Sequence, residues 1–238
     1  MGDNLKVIEA IRVCYTYPDG SVGVREVNLE ISEGERWGLI GANGSGKSTL
    51  ILLFAGLVKP TEGEIRIFGV EPKKENIEKI RRRIGVVFQN PDDFLFNPTV
   101  RDELLYVPAQ LEWSEEEMDR AVMEYAKMFR IESILEKPPF RLSGGEKKKV
   151  ELASVLIYHP EVLLLDEPTA YVDGKTKRQI MEILESFEGT LVIATHELDV
   201  AERLAEKIVL LNLDHTVEAV GGREILHDTD LLERAGVI

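Results

Sequence analysis

The order of apolar and polar positions predicts a two-stranded hairpin near the start of the chain. Residues 6–17 and 24–31 alternate loosely between apolar and polar side chains, which is the period of a half-buried strand. Between them stands Pro18-Asp19-Gly20-Ser21, whose residue types favour a turn. Tyr17, at the end of the first strand, is either a half-buried strand side chain or a ring that can stack on adenine.

The second half of the chain alternates between short apolar runs and segments with helical periodicity. Strand, helix, strand and helix in succession are typical of a wound parallel sheet. In chain order, the predicted segments are a strand at 161–165, a helix at 175–187, a strand at 190–194, a helix at about 197–205 and closing strands at 207–212 and 217–220. We therefore predict an α/β fold, with the N-terminal hairpin in an antiparallel β subdomain.

Residues 88–140 differ in character from this alternating pattern. Asn90-Pro91 marks a turn near their start, and Pro138-Pro139 closes the segment. Ser114 followed by Glu117 has the spacing of a capping box ahead of a helix. We predict a small helical subdomain inserted in the α/β core.

A glycine-rich turn joins the apolar run at 37–40 directly to a helical stretch. The turn fits the P-loop pattern G-x-x-x-x-G-K-[ST], and its glycines let backbone N–H groups curl around phosphate oxygens at a helix start. Lys47 would reach the β- and γ-phosphates, and the Ser48 hydroxyl would ligate Mg²⁺. The residues of this turn are Gly41, Ala42, Asn43, Gly44, Ser45, Gly46, Lys47, Ser48 and Thr49. The sequence therefore predicts a protein that binds a nucleoside triphosphate.

Four further polar side chains stand where apolar strand candidates end. Strand ends converge on the phosphate crevice of P-loop proteins, so Asp166 is predicted to be a second Mg²⁺ contact. Glu167 is placed to accept a proton from a water that attacks the γ-phosphate. His196 ends another strand, where it can hydrogen-bond the γ-phosphate or orient Glu167. The amide of Gln89 can contact Mg²⁺ and the attacking water.

Composition restricts the class of protein. A chain of 238 residues with 44% hydrophobic and 30% charged residues is typical of a globular domain. We expect one domain over residues 1–238, in which 88–140 and the helix that follows to about residue 157 form the helical subdomain. The net charge of -14 argues against nucleic acid as the main partner, because phosphate backbones select basic surfaces.

Nothing in the sequence predicts a membrane-spanning or secreted chain. The longest apolar run, residues 50–58, is shorter than the ~20 residues that span a bilayer. The first residues do not have the composition of a signal peptide, and the single cysteine, Cys14, excludes a disulfide framework. We therefore expect a cytoplasmic protein whose membrane role would come through a partner.

Together these motifs resemble the nucleotide-binding domain of ABC-type ATPases, and the resemblance covers essentially the whole chain. The motifs, in the order the family has them, are the P-loop Gly41–Thr49, Gln89, the signature Leu142-Ser143-Gly144-Gly145-Glu146, the strand Val162–Leu165 with Asp166 and Glu167, and His196. Ser143 and Glu146 also have the spacing of a capping box, which predicts a helix that runs from the signature to about residue 157.

The resemblance implies that two such domains dimerise head to tail, with each ATP held between one P-loop and the partner's signature. Ser143, Gly144, Gly145 and Glu146 would then form a second anion cradle at a helix start. The implied catalytic residues are Lys47, Gln89, Glu167 and His196, the implied Mg²⁺ contacts are Ser48, Gln89 and Asp166, and the side chain that stacks on adenine is Tyr17.

Within that family the chain is similar to the ATPase subunits of energy-coupling-factor importers of vitamins and transition metals. The similarity lies in five places along the chain: Tyr17-Pro18-Asp19-Gly20, Phe88–Asp93, Phe96, Pro98-Thr99-Val100 and residues 228–236. It implies an integral membrane subunit that docks near the Gln89 loop at the cytoplasmic face of the membrane. Phe94-Leu95-Phe96 would supply apolar contact for that partner or pack into the helical subdomain. The alternative function is a soluble ABC-type ATPase that acts in cofactor assembly or on another macromolecule.

Two departures from the family's pattern lie on surfaces that would serve the other subunit. The signature usually ends in Gln, whereas this chain has Glu146, whose carboxylate partly offsets the positive end of the helix. The loop after Glu167 usually reads small residue, Leu, Asp, whereas here it reads Ala170-Tyr171-Val172-Asp173. We therefore favour a heterodimer with unequal sites, in which the site that uses this chain's signature is the weaker one.

Overall fold

The computed structural model describes residues 5–238, which contacts between residues divide into two compact units. The first unit comprises residues 5–86, Glu161–Glu167 and Glu185–Ile238. The second comprises Val87–Pro160 and Pro168–Leu184, so two insertions in the first unit form the second. The helical subdomain predicted over residues 88–140 and on to residue 157 lies within the second unit.

The first unit is built on a larger wound sheet and a smaller antiparallel sheet. The strands are β1 (Lys6–Thr16), β2 (Val22–Ser32), β3 (Arg36–Gly41), β4 (Glu62–Ile67), β5 (Ile84–Val87), β6 (Val162–Asp166), β7 (Thr190–Thr195), β8 (Lys207–Leu211) and β9 (Val217–Gly222). The larger sheet has the order β5-β6-β7-β3-β8-β9. In it, β7 pairs in parallel with β6 and β3, β3 pairs in parallel with β8, and β9 is antiparallel. The smaller sheet has the order β2-β1-β4 and contains the predicted hairpin.

The helices lie between and after these strands. They are α1 (Lys47–Phe54), α2 (Ile77–Arg81), α3 (Val100–Gln110), α4 (Glu115–Phe129), α5 (Gly144–Leu156), α6 (Gly174–Glu185), α7 (Leu198–Leu204) and α8 (Thr229–Arg234). Short 3-10 turns occur at Pro91–Asp93, Glu132–Ile134, Pro139–Arg141 and Arg223–His227. Among the described residues, no helix is both long enough and apolar enough to cross a bilayer.

The central strands of the larger sheet are buried on both faces, which explains why they are continuous apolar runs in the sequence. Leu39 of β3, Leu164 of β6 and Val192 of β7 expose no surface and belong to one hydrophobic core. A strand buried on both faces cannot alternate with polar residues, because helices or another sheet cover each face. The predicted α/β fold with an antiparallel β subdomain is therefore confirmed.

The second unit is mainly helical, and two of its helices begin with the predicted capping boxes. At the start of α4, Ser114 N–H donates to Glu117 Oε2 at 2.9 Å, and Glu117 N–H donates to Ser114 Oγ at 3.3 Å. The same reciprocal pair opens α5 at Ser143 and Glu146. Each box satisfies two N–H groups that a helix start leaves without an intrahelical partner.

Candidate nucleotide-binding site

The P-loop turn between β3 and α1 has a backbone path that only glycine permits at two positions. A Cβ on Gly41 would lie 2.4 Å from Ser45 Oγ and 2.8 Å from the carbonyl oxygen of Leu211. Gly46 has φ of +106°, and a Cβ there would lie 2.3 Å from the carbonyl oxygen of Gly23. The backbone of the turn is therefore tightly wound, as a turn whose N–H groups surround phosphate oxygens must be.

The start of α1 has no side-chain cap and no acidic residue in its first turn. The N-cap residue, Gly46, has no side chain that could accept from the first N–H groups, which lie at the positive end of the helix dipole. An anion is the natural ligand for such a terminus. The turn and the helix start together fit a phosphate group.

Lys47, the first residue of α1, is buried and folds back into the turn. Its ammonium donates to the carbonyl oxygens of Gly41, at 2.7 Å, and Ala42, at 3.0 Å. Burial lowers the pKa of Lys47, and the nearby charges of Glu167 and Asp166 act in the opposite direction. The lysine thus contacts the backbone of the turn and is close enough to Glu167 and Asp166 to be affected by their charges.

Tyr17 follows β1 and is attached to the P-loop helix by a hydroxyl–hydroxyl hydrogen bond. Its hydroxyl oxygen lies 2.9 Å from Thr49 Oγ1, and its half-buried ring meets the ring of Tyr15 edge-on at 4.8 Å. Thr49 is buried, whereas the neighbouring Ser48 is exposed. The structure therefore places the Tyr17 hydroxyl beside the P-loop helix, in contact with Thr49.

Parallel pairing brings the ends of β6 and β7 together. Asp166 is paired with Ala194 in the sheet, and Glu167 N–H donates to the carbonyl oxygen of Ala194 at 2.9 Å. Glu167 has φ of +47°, in the left-handed region, which turns the chain sharply out of the strand. Both carboxylates consequently lie at the carboxyl edge of the sheet, where α/β proteins bind ligands.

The end of β7 holds both oxygens of the Glu167 carboxylate. Glu167 Oε1 accepts from His196 N–H at 3.1 Å and lies 2.8 Å from His196 Nδ1, while Oε2 accepts from the Thr195 hydroxyl at 3.1 Å. The carboxylate is buried and the imidazole is half exposed. Such a carboxylate has a fixed orientation and can accept a proton from water.

The first unit also contains oxygen ligands of the type that Mg²⁺ prefers. The Ser48 hydroxyl belongs to the P-loop, and the Asp166 carboxylate ends β6 and is close enough to Lys47 to affect its pKa. In the part of the chain that the structure describes, no group of three His, Cys, Asp or Glu side chains could hold a metal alone. These residues fit an ion that also binds phosphate oxygens and water.

The signature turn and Gln89 belong to the second unit. Glu146 Oε2 accepts from Ser143 N–H and from the Ser143 hydroxyl, both at 2.8 Å. These two hydrogen bonds hold the pKa of Glu146 below its usual value, so the carboxylate is ionised at neutral pH. Gly144 and Gln89 are exposed to solvent. The Ser143 hydroxyl proton is therefore directed to this chain's own carboxylate.

The loop after Glu167 leads into α6 within the second unit. Asp173 accepts hydrogen bonds from the Thr176 hydroxyl, at 2.7 Å, and from Lys175 N–H, at 2.9 Å, which lower the pKa of Asp173. Tyr171 is 89% exposed and has φ of +61°. A large aromatic side chain held out into solvent is a candidate contact for another subunit.

The predicted site residues are thus divided between the units. The first unit brings together Tyr17, the P-loop Gly41–Thr49, Asp166, Glu167 and His196, and the second contains Gln89 and Ser143–Glu146. Sequence reasoning missed three polar residues, Thr195, Lys148 and Glu151, which contact the predicted ones. Only Thr195 had a signal, since it is a hydroxyl residue at the end of an otherwise apolar strand.

A parallel strand that leads through a glycine turn into a helix, with acidic residues at the end of a nearby strand, defines a P-loop nucleotide-binding protein. Comparison with known proteins gives the family. The sequence profile of the ABC transporter family matches residues 24–170, more than half of the chain, and the chain belongs to this family. It is an ABC-type ATPase, the ATP-binding subunit of an ABC transporter.

Relatives and solved structures agree with this assignment. A protein of Archaeoglobus fulgidus, provisionally named an ABC transporter ATP-binding protein, is 79% identical over 238 residues, all of both chains. The energy-coupling factor transporter ATP-binding protein EcfA of Methanothermobacter thermautotrophicus is 39% identical over 97% of this chain and 76% of its own length.

The fold agrees with solved ABC ATPases. CbiO1 of Clostridium perfringens, described as part of the ABC transporter complex cbiONQ, has a TM-score of 0.81 and 31% identity, covering 98% of this chain and 95% of its own. MJ0796, an ABC transporter cassette solved as a dimer, has a TM-score of 0.82 and 34% identity, with 91% and 98% covered. The expected resemblance to energy-coupling-factor ATPases is therefore confirmed.

Replacing Gly46 by alanine tests the phosphate cradle. We expect Gly46→Ala to weaken ATP binding by at least about tenfold, because the new Cβ would collide with the Gly23 carbonyl and open the turn. Titration with a fluorescent ATP analogue measures this loss. The matched control is Gly34→Ala, which also has positive φ (+77°) but finds no atom within 4 Å. Equal binding by the parent and Gly46→Ala would contradict the cradle.

Proposed function

We propose that this chain powers a membrane importer of vitamins or transition-metal ions, as a peripheral subunit at the cytoplasmic face of the membrane. Binding of ATP would drive head-to-tail dimerisation with a second ABC ATPase subunit, and an integral membrane subunit would dock near the Gln89 loop. Similarity to EcfA and to CbiO1 supports the importer class. The observation that carries the hydrolytic role is the buried Glu167 carboxylate, oriented by Thr195 and His196 close to Lys47.

The proposed reaction is attack of water on the γ-phosphate. The P-loop N–H groups and Lys47 bind the phosphates, and Tyr17 stacks on adenine. Glu167 accepts the water proton as the new P–O bond forms and the bond to the β-phosphate oxygen breaks, while His196 orients Glu167 and contacts the γ-phosphate. Mg²⁺, held by Ser48, Asp166 and Gln89, would neutralise charge on the phosphate oxygens.

Each chain supplies only part of such a site. In the proposed dimer, the exposed Gly144 and Ser143 of one chain approach the triphosphate bound to the P-loop of the other. The N–H groups at the start of α5 then act as a second anion cradle. Hydrolysis would remove the γ-phosphate that both faces share, and the dimer would reopen.

The Glu167→Gln variant tests the reaction. The amide keeps one oxygen, which can accept from His196 N–H or from the Thr195 hydroxyl, but it cannot take a proton. We therefore expect turnover to fall by about a hundredfold or more. ATP binding should persist, and a nucleotide-bound dimer should accumulate in size-exclusion chromatography. Glu78→Gln, which removes one member of the exposed pair with Arg82 in the same unit, is the control. Hydrolysis by Glu167→Gln at the parent rate would refute the proton-acceptor role.

An exposed aromatic pair supports docking of a partner close to the Gln89 loop. Phe96 is 65% exposed and meets the exposed Tyr106 of α3 edge-on at 5.0 Å. Phe94, by contrast, turns towards Phe88 within the same unit, at 6.4 Å between ring centres. Phe96 and Tyr106 therefore form the apolar surface that we assign to the membrane subunit.

Co-purification tests the membrane partner. We expect the chain to be isolated from membranes with an integral subunit, and Phe96→Asp to abolish that association because it places a charge in an apolar contact. Met123→Asp, at another exposed apolar position of the second unit, is the control and should keep the partner. Recovery with a soluble partner instead would favour the alternative function in cofactor assembly or on another macromolecule.

We further propose that the dimer is a heterodimer of two different ATPase subunits and that its two sites are unequal. Glu146 keeps the Ser143 hydroxyl proton and adds a negative charge at the start of α5. Both effects weaken the cradle that this chain offers to the partner's ATP. The site built on this chain's own P-loop is not affected by Glu146 of this chain, so ATP hydrolysis would be faster there.

Variants in one subunit at a time test this asymmetry. In a reconstituted dimer, we expect Glu167→Gln in this chain to remove most of the turnover and the equivalent change in the partner to remove less. Glu146→Gln in this chain should raise the rate of the slower site, because it removes the charge. Steady-state ATPase rates of each combination give the answer, and equal losses from the two subunits would exclude asymmetry.

A further inference from the structure

Two buried charged residues of α5 lie against the loop that contains Gln89. Lys148 is 1% exposed and Glu151 is 0% exposed, although both belong to a helix whose neighbouring lysines, Lys147 and Lys149, are partly exposed. Burying a charge is costly unless it is paired and hydrogen-bonded. Such a pair therefore needs a specific set of partners.

The partners are the backbone groups on both sides of Gln89. Lys148 Nζ donates to the carbonyl oxygens of Phe88, at 2.6 Å, and Gln89, at 3.2 Å. It also lies 2.9 Å from Glu151 Oε2, and Glu151 Oε1 accepts from Phe88 N–H at 2.8 Å. A second, exposed contact joins Lys147 to Asp92, four residues beyond Phe88.

These contacts determine the direction of the Gln89 side chain. The Phe88 carbonyl belongs to the peptide group before Gln89, and the Gln89 carbonyl belongs to the peptide group after it. Holding both peptide planes restricts φ and ψ of Gln89, and hence the direction of its Cα–Cβ bond. Loop residues are otherwise the most mobile parts of a fold.

The same contacts attach the Gln89 loop to the helix that begins at the signature. Ser143 caps α5, and Lys148 lies little more than one turn farther along that helix. The loop and the signature turn are thus connected through hydrogen bonds inside one unit. Burial raises the pKa of Glu151, and the positive charge of Lys148 acts in the opposite direction.

We propose that Lys148 and Glu151 are positioning residues that fix Gln89 and make its loop move with the signature helix. The inference rests on the proposed role of Gln89 in ATP hydrolysis. A partner that displaces the Phe96 surface would then displace α5 as well, through the short segment between residues 89 and 96. ATP binding at the P-loop, in the other unit, does not depend on this connection.

The experiment uses the full chain in its nucleotide-dependent dimer and compares three variants. Glu151→Gln keeps an acceptor for Phe88 N–H but removes the partner charge of Lys148. Lys148→Met/Glu151→Gln removes both charges, so it is expected to fold even where the single variant is unstable. Glu136→Gln is the matched control, because that side chain is 77% exposed and pairs with Arg101 in the same unit.

Both test variants should loosen the loop and slow turnover without weakening ATP binding. We expect faster amide hydrogen exchange in the peptide covering residues 88–93, about a tenfold or larger fall in kcat, and a change in nucleotide Kd of less than about twofold. Glu136→Gln should match the parent in all three measurements. Unchanged exchange and unchanged kcat in the charge-free double variant would overturn the proposal.

Adding Gln89→Ala to each background separates positioning from a general structural effect. If Lys148 and Glu151 act through Gln89, their replacement should lower kcat little further once Gln89 is alanine. If replacing Lys148 and Glu151 lowers kcat by the same factor with and without Gln89→Ala, the two residues do not act through Gln89, and the inference is overturned. Full activity of Gln89→Ala alone would instead refute the proposed role of Gln89 and leave the test of Glu167 unaffected.

Discussion

The arrangement of the candidate site depends on the parallel pairing of β6, β7 and β3. In parallel strands the carboxyl ends lie at one edge, so the register that pairs Asp166 with Ala194 and Ile40 with Thr195 also brings the segments after these strands together. The P-loop comes after β3, Glu167 after β6 and His196 after β7. Each segment is separated from the others by many residues in sequence, and a shift of one residue in any strand would move its side chain away from the others.

The fold was largely predictable because its buried strands and capped helices have local signals. β6 and β7 are continuous apolar runs because both of their faces are covered. The helices α4 and α5 are indicated by the capping boxes that begin at Ser114 and Ser143. Two helices gave weaker signals. α3 contains Pro108, which interrupts a helical pattern, and α8 has only six residues, too few to show a period.

The polar environment of the site was less predictable than its motifs. The run Glu146-Lys147-Lys148-Lys149 reads as a solvated face, and nothing local distinguishes Lys148 from its neighbours. Its burial arises from tertiary contact with Phe88, far away in sequence, and from its pairing with Glu151. Thr195 likewise acquires its role only when β7 pairs with β6 and the chain turns at Glu167. Motifs identify groups that can perform chemistry, whereas the contacts that orient those groups are set by packing.

The hydrogen bond between Tyr17 and Thr49 has a consequence for the shape of the ligand. It joins the end of a strand from the antiparallel sheet to the first turn of α1, so the aromatic ring and the phosphate cradle are held at a set separation. A molecule that engages both must have a planar ring at one end, an anionic group at the other and a linker of matching length between them. The pair of hydroxyl groups therefore sets the distance between the two ends of any ligand that contacts both the Tyr17 ring and the phosphate cradle.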